Sequence, residues 1–227
     1  MKKIFFSNVL EWEKFQKKNL LTKYLHNVKY IHLKKKLEKL KLKKINILDL
    51  GCGFADIFKI LNSSYDIQYT GIENNKEIFL ETRQRYSNSN NFNILNQSVS
   101  KIDGLNKEQF DIIIMFDVLE HINLSSRIKL LEDIDKFKFY KLYINVPNEV
   151  GFAVLIKNLG SFIMKYDRYK EYNLFETYNS FLSKVENFPP HIDQHKGFDW
   201  KVLKYMLHYY FQIDDIRTIL NNILPNA

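Results

Sequence analysis

The sequence predicts an α/β fold built on a parallel sheet, and three observations lead there. Apolar strand-like runs alternate with helix-like stretches between residues 45 and 150, the pattern of successive βαβ units. The run Ile47-Leu48-Asp49-Leu50-Gly51-Cys52-Gly53 reads as a buried strand that breaks into a tight turn. Glu73 follows Gly51 by 22 residues. That is near the roughly 20-residue spacing that brings an acid to a ribose hydroxyl in nucleotide-binding sheets.

Taken in order, residues 1–44 read as helical, with Trp12, Phe15, Leu20, Leu21 and Leu25 at helical spacing and no strand alternation. Ile31, Leu33, Leu37 and Leu40 interleave with lysines up to Lys44, which predicts an amphipathic helix with a solvated basic face. Strands are expected near 45–50, 68–73, 92–96, 111–116 and 142–146. Residues 151–190 are rich in Phe, Tyr, Leu and Lys and read as a helical insertion or lid, ended by Pro189-Pro190. Residues 191–227 complete the core: a helix carries Val202, Leu203, Met206 and Leu207, and a late strand follows over 210–216.

Composition narrows the classes. A chain of 227 residues suits one domain with elaborations, and 45% hydrophobic content with 15% aromatic content excludes wholesale disorder. Cys52 is the single cysteine, so an intramolecular disulfide is impossible and a reducing, cytoplasmic setting is expected. Cys52 itself reads as a small buried side chain beside the turn. No apolar stretch reaches transmembrane length, and the start of the chain is too short for a secretory signal. The net charge of +8 suits an anionic substrate, a nucleic acid or an anionic membrane surface, and does not choose among them.

The turn says more about its ligand. Gly51 and Gly53 lack a Cβ, so the backbone takes positive φ there and approaches a ligand closely. Asp56 stands where a dinucleotide fingerprint has its third glycine. Its charge repels a pyrophosphate and its bulk blocks close helix–strand packing, so a nucleoside ligand without a pyrophosphate fits better than a dinucleotide.

These residues resemble motif I of the class I S-adenosylmethionine-dependent methyltransferases, and further segments resemble that family in its own order. Tyr69-Thr70-Gly71-Ile72-Glu73 is similar to the end of its second strand. Phe110-Asp111-Ile112-Ile113-Ile114-Met115-Phe116-Asp117-Val118-Leu119-Glu120-His121 resembles its fourth strand and the start of the next helix. Leu142-Tyr143-Ile144-Asn145-Val146-Pro147-Asn148 resembles its fifth strand and exit loop. The resemblance covers residues 45–150. It implies a Rossmann-like, mostly parallel seven-stranded sheet with helices on both faces, an N-terminal helical cap over 1–44 and a helical insertion. It also implies S-adenosylmethionine as cofactor, held by Asp49, Gly51, Gly53, Glu73, Asn74, Ser98, Val99 and Phe116.

Asp117, Glu120 and His121 form a second constellation. If a helix begins near Asp117, positions i, i+3 and i+4 share one face. Two carboxylates and an imidazole at a sheet edge suit Mg²⁺ or another divalent cation. A similar pattern occurs in the ubiquinone-type O-methyltransferases and the small-RNA 2′-O-methyltransferases. In the RNA enzymes a downstream histidine completes a magnesium site, and His191-Ile192-Asp193-Gln194-His195-Lys196 resembles that segment. The implied metal set is Asp117, Glu120, His121 and His195. Without a metal, His121, His191 and His195 are the candidate bases or acceptor ligands. His26, His32 and His208 lack convergent partners and read as structural.

The leading expectation is O-methylation of a small hydroxylated acceptor such as a sugar or surface-polysaccharide precursor, anionic or nucleotide-linked. The alternatives are a metal-dependent RNA 2′-O-methyltransferase, with nucleic acid as a less favoured partner, and a non-catalytic cofactor-binding partner subunit.

Overall fold

The computed structural model describes residues 20–102, 104–107, 109–163, 172–184 and 198–217. Helix α1 (Leu20–Leu40) leads into β1 (Lys44–Leu50), α2 (Asp56–Leu61), β2 (Asp66–Glu73), α3 (Lys76–Arg85) and β3 (Phe92–Asn96). Then come β4 (Ile112–Phe116), α4 (Leu124–Asp135), β5 (Lys141–Asn145), α5 (Phe152–Ile163), α6 (Leu174–Phe181) and α7 (Trp200–Tyr210). The sheet is parallel with order β3-β2-β1-β4-β5. The order reverses between β1 and β4, and ligands of open α/β sheets bind at that crevice beyond the carboxyl ends of the strands.

Alternation along the central strands sends residues to two cores. Ile45 and Ile47 of β1, Ile67 and Tyr69 of β2, and Ile112 and Ile114 of β4 pack with Leu33 and Leu37 of α1 and Phe58 of α2. Leu48, Leu50, Ile72, Ile113 and Met115 face the other way, toward Leu130, Leu131 and Ile134 of α4 and Leu203 of α7. Both faces are therefore covered by helices, which is why β4 at the centre reads as an unbroken apolar run.

The five central strands fall where the sequence predicts them, but the sheet has five strands among the described residues, not seven. The late strand expected over 210–216 is absent. Tyr210 ends α7, Phe211 turns to extended backbone, and residues 212–217 make no ladder. The chain is tied down there by side chains instead: Asp214 pairs with Lys141, and Asp215 pairs with Lys36 at 2.5 Å.

Helix α1 also departs from its expected pattern. Among its described side chains, Val28, Tyr30, Leu33 and Leu37 are buried, whereas Ile31 is exposed. Lys29, expected on the solvated basic face, has a side chain only 8% exposed. Of the predicted insertion at 151–190, the described parts are the helices α5 and α6, packed against each other; Phe152 meets Phe181 edge-on. Among the described residues no helix is long and apolar enough to cross a membrane.

Candidate active site

The turn after β1 takes three left-handed residues in quick succession: Gly51 at φ 75°, Gly53 at φ 54° and Ala55 at φ 54°. The N–H groups of Gly51 and Cys52 both donate to the Ile72 carbonyl, at 2.8 and 2.9 Å, which pins the turn to the end of β2. A Cβ on Gly51 would lie 2.5 Å from Val118 Cγ2, so the chain leaving β4 packs directly on this glycine. Nothing lies within 4 Å of a Cβ built on Gly53, so its backbone faces open space.

Glu73 closes the other side. Its Oε2 accepts from Gly53 N–H at 3.0 Å and its Oε1 from Asn75 N–H at 2.7 Å. Burial raises its carboxyl, against the backbone hydrogen bonds from Asn75, Gly53 and Asn74. A carboxylate offers about four acceptor sites, so these backbone bonds leave it able to accept from a ligand hydroxyl. Asn96 donates from Nδ2 to the carbonyls of Glu73 and Asn74, at 2.8 and 3.3 Å, and steadies this strand end. Asn74 is exposed. The Ser98 hydroxyl accepts from Ser100 N–H at 3.2 Å and caps the 3₁₀ turn Val99–Lys101.

Asp49 is buried, and Tyr69 donates its hydroxyl to Asp49 Oδ2 at 2.5 Å. Burial pushes the Asp49 carboxyl up to about 7; the Tyr69 hydrogen bond and the Lys29 charge oppose this, while Glu73 and Asp56 add to it. Cys52 stays a protonated thiol: burial lifts it well above the usual range. Its sulfur would lie 2.6 Å from a Cβ on Gly71, so that position in β2 has no room for a side chain.

At the end of β4, Phe116 packs 6.0 Å from the Tyr30 ring, and the Lys29 ammonium lies 5.1 Å over Tyr30 and 5.8 Å over Phe116. Lys29 pairs with Asp117. The sequence held no signal for this contact, because a lysine in a basic helix resembles its neighbours.

The helix predicted to begin at Asp117 does not form there. Asp117 takes φ 57°, a 3₁₀ turn covers Leu119–His121, and α4 begins only after its cap Asn123. Asp117, Glu120 and His121 therefore do not share a helix face. Glu120 is 4% exposed and His121 is exposed, whereas Asp117 faces Lys29. Burial raises the Glu120 carboxyl to about 8, opposed by a backbone hydrogen bond and increased by Asp117. Among the described residues no three His, Cys, Asp or Glu side chains are grouped to hold a metal. His191 and His195, the downstream candidates, lie outside the described residues.

Another buried acid, Glu149, escaped the sequence reading. Glu149, beyond β5, is 1% exposed and pairs with Lys157 of α5 at 2.6 Å, while the Tyr172 hydroxyl lies 3.5 Å from its other oxygen. It anchors α5 to the exit of β5.

Residues 47–137 match a family model described as a methyltransferase domain. No curated protein matches the sequence. A solved structure from Methanococcus maripaludis, provisionally described as an S-adenosyl-L-methionine-dependent methyltransferase, is 16% identical. The match covers 83% of each chain at a TM-score of 0.53. An S-adenosylmethionine-dependent methyltransferase from Clostridium acetobutylicum is 16% identical over 61% of each chain, with a TM-score of 0.46. A protein from Pyrococcus horikoshii is 19% identical over 61% of this chain and 63% of its own, with a TM-score of 0.45. At this identity the Methanococcus structure shows a shared fold alone. The chain spans 40 to 63% of the length of several solved structures it matches.

Proposed function

We infer that this chain, whose residues 47–137 match a methyltransferase-domain model, uses S-adenosylmethionine to methylate a hydroxyl of a small acceptor. The acceptor class we propose is a sugar or surface-polysaccharide precursor, phosphorylated or nucleotide-linked. One observation carries the cofactor reading: Glu73 is held at both carboxylate oxygens beside the open backbone of Gly53, beyond the carboxyl ends of β2 and β1. A ribose needs an anchored double acceptor, and a nucleoside passing the turn needs a position without a side chain. These residues fit the cofactor. When bound, S-adenosylmethionine supplies a methyl carbon already attached to its sulfonium leaving group.

The protein's task is then orientation, exclusion of water and removal of one proton. We assign ribose binding to Glu73, adenosine contacts to Asn74, Ser98 and Val99, and the methionine end to Asp49, Gly51, Gly53 and Phe116. A phosphorylated or nucleotide-linked acceptor would suit the net charge of +8. The acceptor's proton passes to a histidine drawn from His121, His191 and His195. Helices α5 and α6 follow β5 directly, and we assign acceptor specificity to them.

Calorimetry with S-adenosylhomocysteine tests the cofactor reading, with micromolar binding expected and absence of binding overturning it. Methyl transfer to a panel of nucleotide-linked sugars, simple sugar phosphates and short RNA then tests the acceptor class. Transfer to RNA alone would reject the sugar.

A further inference from the structure

Helix α1 delivers a cation to the mouth of the β1–β4 crevice. Lys29 is almost fully covered, pairs with Asp117 and lies over the rings of Tyr30 and Phe116. An aromatic pair with a carboxylate is the environment that recognises a positively charged ligand. The acids near it are Asp117, Asp49 and Glu120, and its charge acts on the last two as well. Phe116 is two residues before Val118, whose methyl group packs on Gly51. The protein's own ammonium therefore sits where the end of β4 meets the glycine turn.

We propose that Lys29 is a specificity-determining residue, an internal cation that holds the acidic, aromatic mouth of the crevice and must withdraw for the sulfonium to enter. Its charge opposes the charged cofactor and leaves the neutral thioether product unopposed. Withdrawal is feasible because the Asp117 side chain is 42% exposed, so the ion pair opens to solvent on that side. The α1 contact thereby biases the site toward the product form until the ammonium leaves. This inference rests on the cofactor reading above.

Calorimetry with S-adenosylmethionine and S-adenosylhomocysteine on the wild type, Lys29→Met and Lys29→Arg is the test. Lys29→Met is expected to tighten S-adenosylmethionine about tenfold, the order of one unit-charge repulsion at a protein surface. S-adenosylhomocysteine should change less than about threefold, and Lys29→Arg should behave as the wild type. Equal changes for both ligands, or weaker S-adenosylmethionine binding by Lys29→Met, would overturn the proposal. Wild type that binds neither ligand would instead reject the cofactor reading. Thermal melting checks that the variants fold. Amine labelling of the wild type keeps the test open if they do not: S-adenosylmethionine should increase modification of Lys29, and no increase overturns the proposal.

Discussion

Tyr69 on β2 donates its hydroxyl to Asp49 on neighbouring β1, at 2.5 Å, and both residues are buried. The acid just before the glycine turn is thus held by a strand partner 20 residues away. Burial lifts Asp49 to about 7, so its proton is bound more tightly in the folded chain than in the unfolded one, where an aspartate ionises near pH 3.9. The stabilisation it contributes is full below about pH 4 and is lost as the pH rises through about 7. Asp49→Asn is expected to gain on the wild type by on the order of 4 kcal/mol between pH 4 and pH 8 in urea unfolding. A constant difference across that range would refute the assignment. Tyr69→Phe removes the hydrogen bond that opposes the rise, so Asp49 moves higher still and stability falls by about 1–3 kcal/mol.

The two glycines of the turn should fail differently. Gly51→Ala combines positive φ with a contact of 2.5 Å to Val118 Cγ2, so its thermal midpoint is expected to fall markedly. Gly53→Ala has positive φ but no neighbour within 4 Å. It is expected to fold with a small loss, yet to bind S-adenosylhomocysteine about tenfold more weakly, because the new methyl enters the open space. Equal melting losses in the two variants would contradict this division.

Glu73→Gln tests the ribose anchor. One amide atom cannot accept, so either the Gly53 or the Asn75 N–H loses its partner. Affinity for S-adenosylhomocysteine should fall about 10- to 100-fold by calorimetry. Unchanged affinity would remove Glu73 from the cofactor site.

Lys157→Met leaves the buried Glu149 carboxylate without its 2.6 Å cation. A loss of about 3 kcal/mol is expected, and adding Glu149→Gln should recover part of it in a double-mutant cycle. Strict additivity of the two substitutions would show that the ion pair does not couple them.

His195→Ala is expected to reduce methyl transfer at least about a hundredfold, the scale of a lost general base, with S-adenosylhomocysteine affinity nearly intact. Parallel loss of both would put His195 in the cofactor site or the fold.

Several of these residues were legible before any coordinates. Gly51, Gly53 and Glu73 announced themselves by type and spacing, since a tight turn and a ribose partner each demand particular residues. Tyr69 did not, because an aromatic in a strand is ordinary, and its role depends on Asp49 standing beside it in the neighbouring strand. The reading of Asp117, Glu120 and His121 as one helical face failed for a local reason. Asp117 goes left-handed and Asn123 caps α4, and the sequence places both residues without saying which one starts the helix.

What the sequence determined by itself is the parallel core and its glycine turn. Strands buried on both faces need continuous apolar runs, and a close-approaching backbone needs glycine. The tertiary structure alone decided the partners. It brought Lys29 across 88 residues to Asp117, Tyr69 to Asp49 and Lys157 to Glu149. It also ended the chain's described part on ion pairs instead of a late strand. The physical reason is that charge and hydrogen bonding act through distance in space. A lysine in a basic helix carries no mark of the one carboxylate it will meet until the helix is laid over the sheet.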